Sequence, residues 1–113
     1  MRSSADDPFV PSIGEIYLVR TEIMLLPDPK ERRPAVVIER PAGPVGRVHV
    51  VTRTTDTTRK GVAHPPTPAL GLQSAGVFWR YTSTEAASWT PRNCRLLGIL
   101  DPLTLRRILE RFT

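Results

Sequence analysis

Prolines and glycines divide this chain into short segments, and that division limits the fold more than any other feature. The 113 residues include twelve prolines and seven glycines. Outside the proline-rich stretches lie five short runs of β-branched and other apolar residues, a composition typical of strands. These runs are 15–19, 35–39, 48–53, 77–83 and 95–100. Because proline cannot donate to a strand ladder, three prolines at 65, 66 and 68 argue against regular structure in the middle segment.

The turn residues and the C-terminal end complete the predicted architecture. The stretch 41–46, with two prolines and two glycines, predicts a turn, so that runs 35–39 and 48–53 form a hairpin. At the C-terminal end, Asp101 is a good N-cap and Pro102 fits the first helical position. Apolar residues then follow at i, i+3, i+4 and i+7, namely Leu105, Ile108, Leu109 and Phe112. The sequence predicts a mainly β fold, a small barrel with a C-terminal α-helix, over residues 11–113, after a flexible segment 1–10.

Length and composition are those of one soluble globular domain, with 40% hydrophobic and 24% charged residues. The longest apolar runs are a few residues, far below the roughly 20 that a membrane-spanning helix needs. The N-terminal end lacks the apolar region of a secretory signal. Cys94 is the only cysteine, which excludes a disulfide framework and a four-cysteine zinc site within one chain. We expect a reducing, cytoplasmic location and no metal or other cofactor.

The charge balance favours an anionic partner. Sixteen basic and eleven acidic residues give a net charge of +5, and nearly all of the basic residues are arginine. The arginine side chain carries a rigid fork of donors that fits a phosphate group with two hydrogen bonds. A small basic domain of this kind is a candidate for binding a polyanion such as a nucleic acid.

No standard catalytic motif is present, and the isolated candidates have simpler explanations. His49 and His64 are the only histidines; two histidines can act as general acid and base in a ribonuclease, but nothing in their spacing brings these together. Cys94 lies between Arg92 and Arg95, a setting that favours a thiolate nucleophile. A lone cysteine before an apolar strand is more often a small core residue.

Two junctions between strands and loops combine arginines with hydroxyl groups. Arg32 and Arg33 precede one apolar run, and the segment 53–60 follows the next run with threonines between basic residues. If the two strands are neighbours, these ends form one patch that can bind a phosphodiester and stabilise the charge of its transition state. The alternative is a solvated charged rim, with threonines that reflect strand propensity.

Four segments of the sequence resemble the MazF/PemK family of bacterial toxins. They are 13–19 (IGEIYLV), 33–38 (RPAVVI), 50–55 (VVTRTT) and 96–103 (LLGILDPL). The likeness extends over about residues 10–112 and is weak between about 57 and 90. It implies an SH3-like barrel, a homodimer and a cognate antitoxin protein as partner. It also implies a metal-independent endoribonuclease that cuts single-stranded RNA by attack of the 2′-OH, leaving a 2′,3′-cyclic phosphate and a 5′-OH.

The resemblance also assigns residues. Arg33 matches the motif arginine and Thr54 the motif threonine, which makes these two the predicted catalytic residues; a register error of one residue would transfer the role to Thr55. The predicted substrate-binding residues are Arg32, Arg53, Thr55, Arg59, Lys60, Trp79 and Thr82. Many family members carry an acidic residue followed by glutamine where this chain has Thr82 and Ser83, with Glu85 nearby as a substitute acid.

Three functions stay open at this point. The first is the RNA endonuclease, and the second is a non-enzymatic toxin on the same barrel, such as a gyrase poison of the CcdB kind. Such poisons act through a tryptophan-rich C-terminal tail, whereas this chain ends Arg111-Phe112-Thr113. The third is a barrel that binds nucleic acid without cutting it, which the missing acid–glutamine pair favours. Trp79, Tyr81 and Trp89 either stack on unpaired bases or pack in the core.

Overall fold

A computed structural model describes residues 4–43 and 45–113 of the chain. Six antiparallel strands form one sheet with the order β4-β5-β3-β2-β1-β6, which curls into a half-barrel and is followed by one helix. The elements are β1 (Glu15–Arg20), β2 (Arg32–Glu39), β3 (Arg47–Thr54), β4 (Val62–His64), β5 (Gly76–Glu85), β6 (Cys94–Ile99) and α1 (Pro102–Phe112). The predicted mainly β fold with a C-terminal helix is confirmed, and it is compatible with a small SH3-like barrel.

The middle segment contains two short regular elements, so the expectation that its prolines exclude regular structure was wrong. Strand β4 ends at His64, just before Pro65, and therefore needs no donor from a proline. A single 3₁₀ turn spans Pro68–Leu70, and Pro68 takes its first position, where the missing N–H is not required. Gly71 ends that turn with a φ of 75°, which a residue with a side chain rarely adopts.

The hairpin predicted from the turn residues at 41–46 is confirmed. Strands β2 and β3 pair antiparallel, with Ala35 opposite Thr52 and Val37 opposite Val50. Residues 35–38 are all buried, because both faces of this central part of the sheet are covered. The hairpin thus fixes the relative positions of the two strands that carry the predicted catalytic residues.

Each face of the sheet has its own core. The Trp89 face is the side on which sheet residues pack around Trp89, and it is formed by Tyr17, Val19, Ala35, Val37, Val48 and Val50. The helix face is the side covered by α1, and it is formed by Ile16, Val36, Ile38, Val51 and Phe78 with Ile108 of the helix. Because side chains alternate along a strand, neighbouring residues of β2 and β3 belong to opposite cores.

The segment before residue 11 contributes one aromatic ring to the Trp89 face. Phe9 contacts Tyr17 and Trp89 at ring-centroid distances of 5.7 and 6.1 Å. Its backbone N–H donates to the Trp89 carbonyl at 2.9 Å. The first three residues of the predicted flexible segment 1–10 lie outside the described part of the chain.

The loop 21–31, between β1 and β2, crosses the open side of the half-barrel. Met24 forms an isolated bridge with Thr84 of β5, and the Leu25 N–H donates to the Ser83 carbonyl at 3.0 Å. These contacts join the chain that follows β1 to the edge of β5. The same loop therefore passes over the ends of the strands on the Trp89 face.

Helix α1 begins where the sequence predicts. The Asp101 carboxylate accepts from the backbone N–H and the hydroxyl of Thr104, both at 2.9 Å, and these bonds hold the pKa of Asp101 below its ordinary value. Pro102 takes the first helical position. Among the described residues, no helix combines the length and the apolar character needed to cross a membrane.

Candidate nucleic-acid interface

Arg33 and Thr54 lie at facing ends of two neighbouring strands. Ala35 of β2 is opposite Thr52 of β3, and this antiparallel register, continued by two residues on each strand, places Arg33 opposite Thr54. On its other side Arg33 is opposite Val19, a residue of the Trp89 face. The predicted catalytic pair therefore shares the Trp89 face at one end of the sheet.

The guanidinium of Arg33 is held by a carboxylate from the loop 21–31. Arg33 Nε donates to Asp28 Oδ2 at 2.9 Å, and the two side chains are only 14% and 4% exposed. The other carboxylate oxygen, Oδ1, accepts from the Lys30 backbone N–H at 2.8 Å. Burial alone would raise the pKa of Asp28, but these two hydrogen bonds and the charges of Arg33 and Arg80 hold it below its ordinary value. Asp28 is therefore an ionised partner of Arg33.

Thr54 contributes a buried side chain to the same face as this ion pair. Its side chain is 7% exposed, and its Oγ1 accepts from the Asp56 backbone N–H at 3.1 Å. That bond uses a lone pair of the oxygen and leaves the hydroxyl proton available for donation. Thr55 is exposed and is the next residue along the chain, after the end of β3. The hydroxyl that shares a face with Arg33 is therefore that of Thr54.

A bulge in β5 places an extra residue opposite β3. Thr52 is opposite Arg80 and Arg53 is opposite Phe78, so that Trp79 has no partner of its own in the register. The bulge brings Arg80 onto the Trp89 face, while Phe78 stays on the helix face. Sequence reasoning did not single out Arg80, because strict alternation along 77–83 would place residues 78 and 80 on the same face.

Trp79 and two arginines form a second part of this surface. The Cζ atom of Arg59 lies 4.8 Å from the Trp79 ring centroid, and that of Arg80 lies 5.6 Å from it. Both distances are in the range of cation–π contacts. The indole Nε1 is buried and has no hydrogen-bond partner. Arg59 also pairs with Asp56, at 3.4 Å between Nε and Oδ2.

Arg53 points to the other side of the sheet. It is 3% exposed, and its Nε donates to His64 Nδ1 at 3.0 Å. Its Nη2 donates to the carbonyls of Ser74, at 2.6 Å, and Pro65, at 3.4 Å. Burial lowers the pKa of Arg53. The structure therefore gives this predicted substrate-binding residue partners inside the protein and does not bring it to the surface that Arg33 and Thr54 share.

The two histidines are far apart. His64 is buried beside Arg53, and burial, followed by the charge of Arg53, lowers its pKa. His49 lies four residues before Arg53 on β3, which corresponds to about 13 Å along the strand. There it hydrogen-bonds the hydroxyl of Tyr81, whose ring stacks on it. No pair of histidines can therefore act together on one phosphate.

The residues that replace the acid–glutamine pair are buried. Thr82 is 4% exposed and its Oγ1 has no hydrogen-bond partner, while Ser83 Oγ accepts from Arg47 Nε at 2.8 Å. Glu85 is opposite Arg47 at the far end of β3, seven residues from Thr54, or about 23 Å along the strand. Glu85 is therefore too distant to act as the substitute acid that the sequence offered.

Two further predicted substrate-binding residues, Arg32 and Lys60, are exposed and lie near strand ends. Arg32 is exposed and opposite Arg20 of β1, and Lys60 is exposed after β3. Trp89 is fully buried and donates from Nε1 to Thr84 Oγ1 at 2.5 Å, so it belongs to the core.

Cys94 is a core residue. Its side chain is buried, and burial raises the pKa of the thiol to about 12, so that it is protonated at neutral pH. Among residues 4–43 and 45–113, no three His, Cys, Asp or Glu side chains are grouped as ligands for a metal ion.

No protein-family model and no curated protein sequence matches this chain.

Proposed function

We propose that this chain is a metal-independent endoribonuclease toxin of the MazF/PemK type, which cuts single-stranded RNA. The observation that carries the proposal is the position of Arg33 and Thr54, which the sheet register places opposite each other on one face. A cation and a hydroxyl donor on one face provide the two kinds of group that stabilise a phosphodiester in its transition state.

The proposed reaction is an internal transesterification. The 2′ oxygen of a ribose bonds to the adjacent phosphorus, and the bond from phosphorus to the 5′ oxygen of the next nucleotide breaks. The 2′-OH proton passes to water, and the leaving 5′ oxygen takes a proton from water. Arg33 neutralises the charge that develops on the non-bridging oxygens, and the Thr54 hydroxyl donates a hydrogen bond to one of them.

Trp79 supports a single-stranded substrate. An aromatic ring stacks on unpaired bases, whereas bases in a duplex are already stacked on each other. Trp79 lies next to Arg80 in the chain and beneath Arg59, so a base on its ring would have cations nearby for the flanking phosphates.

Two protein partners are part of the proposal. Among the described strands β6 pairs only with β1, so that its other edge is available. Leu96 and Ile99 on β6 are 52% and 73% exposed, which supports contact with a second copy of the chain. The net charge of +5 supports an acidic antitoxin segment as the inhibitor of the RNA-binding surface.

The test is cleavage of end-labelled, unstructured RNA in excess EDTA, with single-stranded DNA of the same sequence as a parallel substrate. We expect discrete RNA fragments with 2′,3′-cyclic phosphate ends and intact DNA, because only RNA carries the attacking 2′-OH. Thr54→Val and Thr55→Val form a matched pair of variants. The Thr54 variant should lose about 100-fold in rate, since it lacks one transition-state donor, and the Thr55 variant little. If the Thr54 variant cleaves as fast as the Thr55 variant, Thr54 is not a donor to the transition state.

A second candidate function is binding of single-stranded RNA without cleavage. The observations that favour it are that Thr82 is buried, that Glu85 lies opposite the far end of β3, and that the Asp28 carboxylate is already paired with Arg33. This function predicts intact RNA in the same assay, together with binding that weakens steeply as salt is added.

A further inference from the structure

Two arginines on the Trp89 face contact adjacent residues of the loop 21–31. Arg33 Nε donates to the Asp28 carboxylate at 2.9 Å, and Arg80 Nη1 donates to the Pro27 carbonyl at 3.0 Å. The Asp28 carboxylate also interacts with the charge of Arg80. A single anionic group of the protein is therefore placed where the two guanidinium groups converge.

We propose that Arg33 and Arg80 form a site for one phosphodiester of the nucleic acid, and that Asp28 occupies this site as an internal ligand that the phosphodiester displaces. The inference rests on the proposed function, because it concerns the same surface. It adds Arg80 as a phosphate-binding residue and makes the loop 21–31 a competitor of the substrate.

The chemistry of the exchange is balanced. A carboxylate and a phosphodiester each present two oxygens and one negative charge to a guanidinium, so one can replace the other on Arg33 without leaving a buried cation unpaired. Arg80 would give up a neutral carbonyl for a charged oxygen, which forms a stronger hydrogen bond. The released Asp28 would be hydrated in solvent.

The part of the loop that can leave is its tip, residues 25–30, because Ile23 and Met24 before it pack against the Trp89 face. The loop arches over a cavity of about 750 Å³ whose lining comes entirely from residues 20–31. Leu25 and Leu26 at its tip are 68% and 39% exposed, so leaving the sheet costs little apolar burial there. By contrast, the opposing Arg33 is fixed in a strand between two neighbours.

The first test measures affinity for a short, mixed-sequence single-stranded DNA, which lacks the 2′-OH and cannot be cleaved. Asp28→Asn should bind about 10-fold more tightly than the unchanged protein, because the competing charge is gone. Glu31→Gln is the matched control: Glu31 is an exposed acid of the same loop, and its loss changes the net charge equally. The affinity of this control should stay within about twofold of that of the unchanged protein, as expected of an exposed, screened charge. Adding Arg80→Gln to Asp28→Asn should remove most of the increase in DNA affinity.

The second test needs no substitution. The Leu25 amide, at the tip of the loop, donates to the Ser83 carbonyl of β5, so its hydrogen exchange reports whether the loop is in place on the sheet. We expect its exchange to become faster when the DNA binds, since binding and loop release are coupled in both directions.

Each result decides the inference separately from the proposed function. Equal affinity of the Asp28 and Glu31 variants, no binding by any variant, or unchanged or slower exchange at the Leu25 amide on binding would overturn it. If the affinities and the exchange behave as expected but RNA stays intact, the phosphodiester site holds and the nuclease proposal falls.

Discussion

Arg33 and Arg53 are both strand arginines with little exposure, yet the protein uses them in opposite ways. Arg33 lies on the Trp89 face and its partner is a carboxylate on a loop. Arg53 lies on the helix face and its partners are a neutral histidine and two backbone carbonyls. The charge of Arg33 is neutralised by a group that can be exchanged, whereas Arg53 is fixed by neutral acceptors.

The difference shows which arginine is available for chemistry. The carbonyls that Arg53 binds belong to Pro65 and Ser74, near the two ends of the segment that connects β4 to β5. Arg53 therefore ties that segment to the sheet. A phosphate could reach it only by breaking several buried hydrogen bonds, which would leave unsatisfied acceptors. Arg33 has one side-chain partner, and an anion can replace that partner.

The largest expected effect on stability comes from removing the Arg53 side chain. Arg53→Ala should lower the free energy of unfolding by about 3 kcal/mol, because it leaves His64 and two carbonyls without a donor and opens a cavity. Urea denaturation measures this. Arg59→Ala, at an exposed position, should cost about 0.5 kcal/mol or less. Similar values for both variants would mean that Arg53 does not hold the β4–β5 segment.

A smaller effect tests whether the partner of Arg33 is charged. Since the pKa of Asp28 is lower in the folded protein than its ordinary 3.8, the pair stabilises the fold above that pH and loses its contribution as the pH falls through the folded value. At neutral pH, Asp28→Asn should cost about 1.5 kcal/mol in unfolding free energy, the value of a charged hydrogen bond.

The difference between Asp28→Asn and the unchanged protein should narrow in acid, below pH 3.8, where Asp28 becomes protonated. The unfolding free energy of Glu31→Gln should stay parallel to that of the unchanged protein across the same pH range. A difference that stays constant with pH would show that the Asp28–Arg33 contact does not depend on charge.

The smallest effect concerns the two tryptophans, which differ as the two arginines do. Trp89 is fully buried, and Trp79 lies at the surface between two arginines. Trp79→Ala should weaken binding of single-stranded RNA by about 10-fold, the value of one stacked base. In the unchanged protein, RNA should quench the fluorescence of Trp79 and leave that of Trp89 unaltered. Quenching that persists in Trp79→Phe would place the bound RNA elsewhere.

Local patterns in the sequence were enough to predict most of the fold. The runs of β-branched residues became strands, because such side chains suit a sheet covered on both faces. The N-cap of α1 was readable from Asp101 and Pro102, since capping depends on residues close together in the chain. The prediction of no regular structure in the middle segment was wrong, because a proline can begin a 3₁₀ turn as well as follow the end of a strand.

Only part of the candidate site could be predicted from the sequence. Alternation along β3 already separates Arg53 from Thr52 and Thr54, but the sequence does not say which face is covered by its own chain. The bulge at Trp79 depends on how β5 pairs with β3, so the position of Arg80 could not be foreseen. The contact between Asp28 and Arg33 depends on the path of a loop, for which no periodic pattern exists.

On the proposed function, Arg33 is the arginine that stabilises the reacting phosphate. The most direct measurement is the single-turnover rate constant for RNA cleavage in EDTA, compared between Arg33→Ala and Arg32→Ala, adjacent residues whose loss changes the net charge equally. We predict a fall of at least about 100-fold for Arg33→Ala, which loses a transition-state contact. For Arg32→Ala we predict about threefold, the loss of one exposed phosphate contact. If Arg33→Ala cleaves RNA as fast as Arg32→Ala, Arg33 does not stabilise the reacting phosphate.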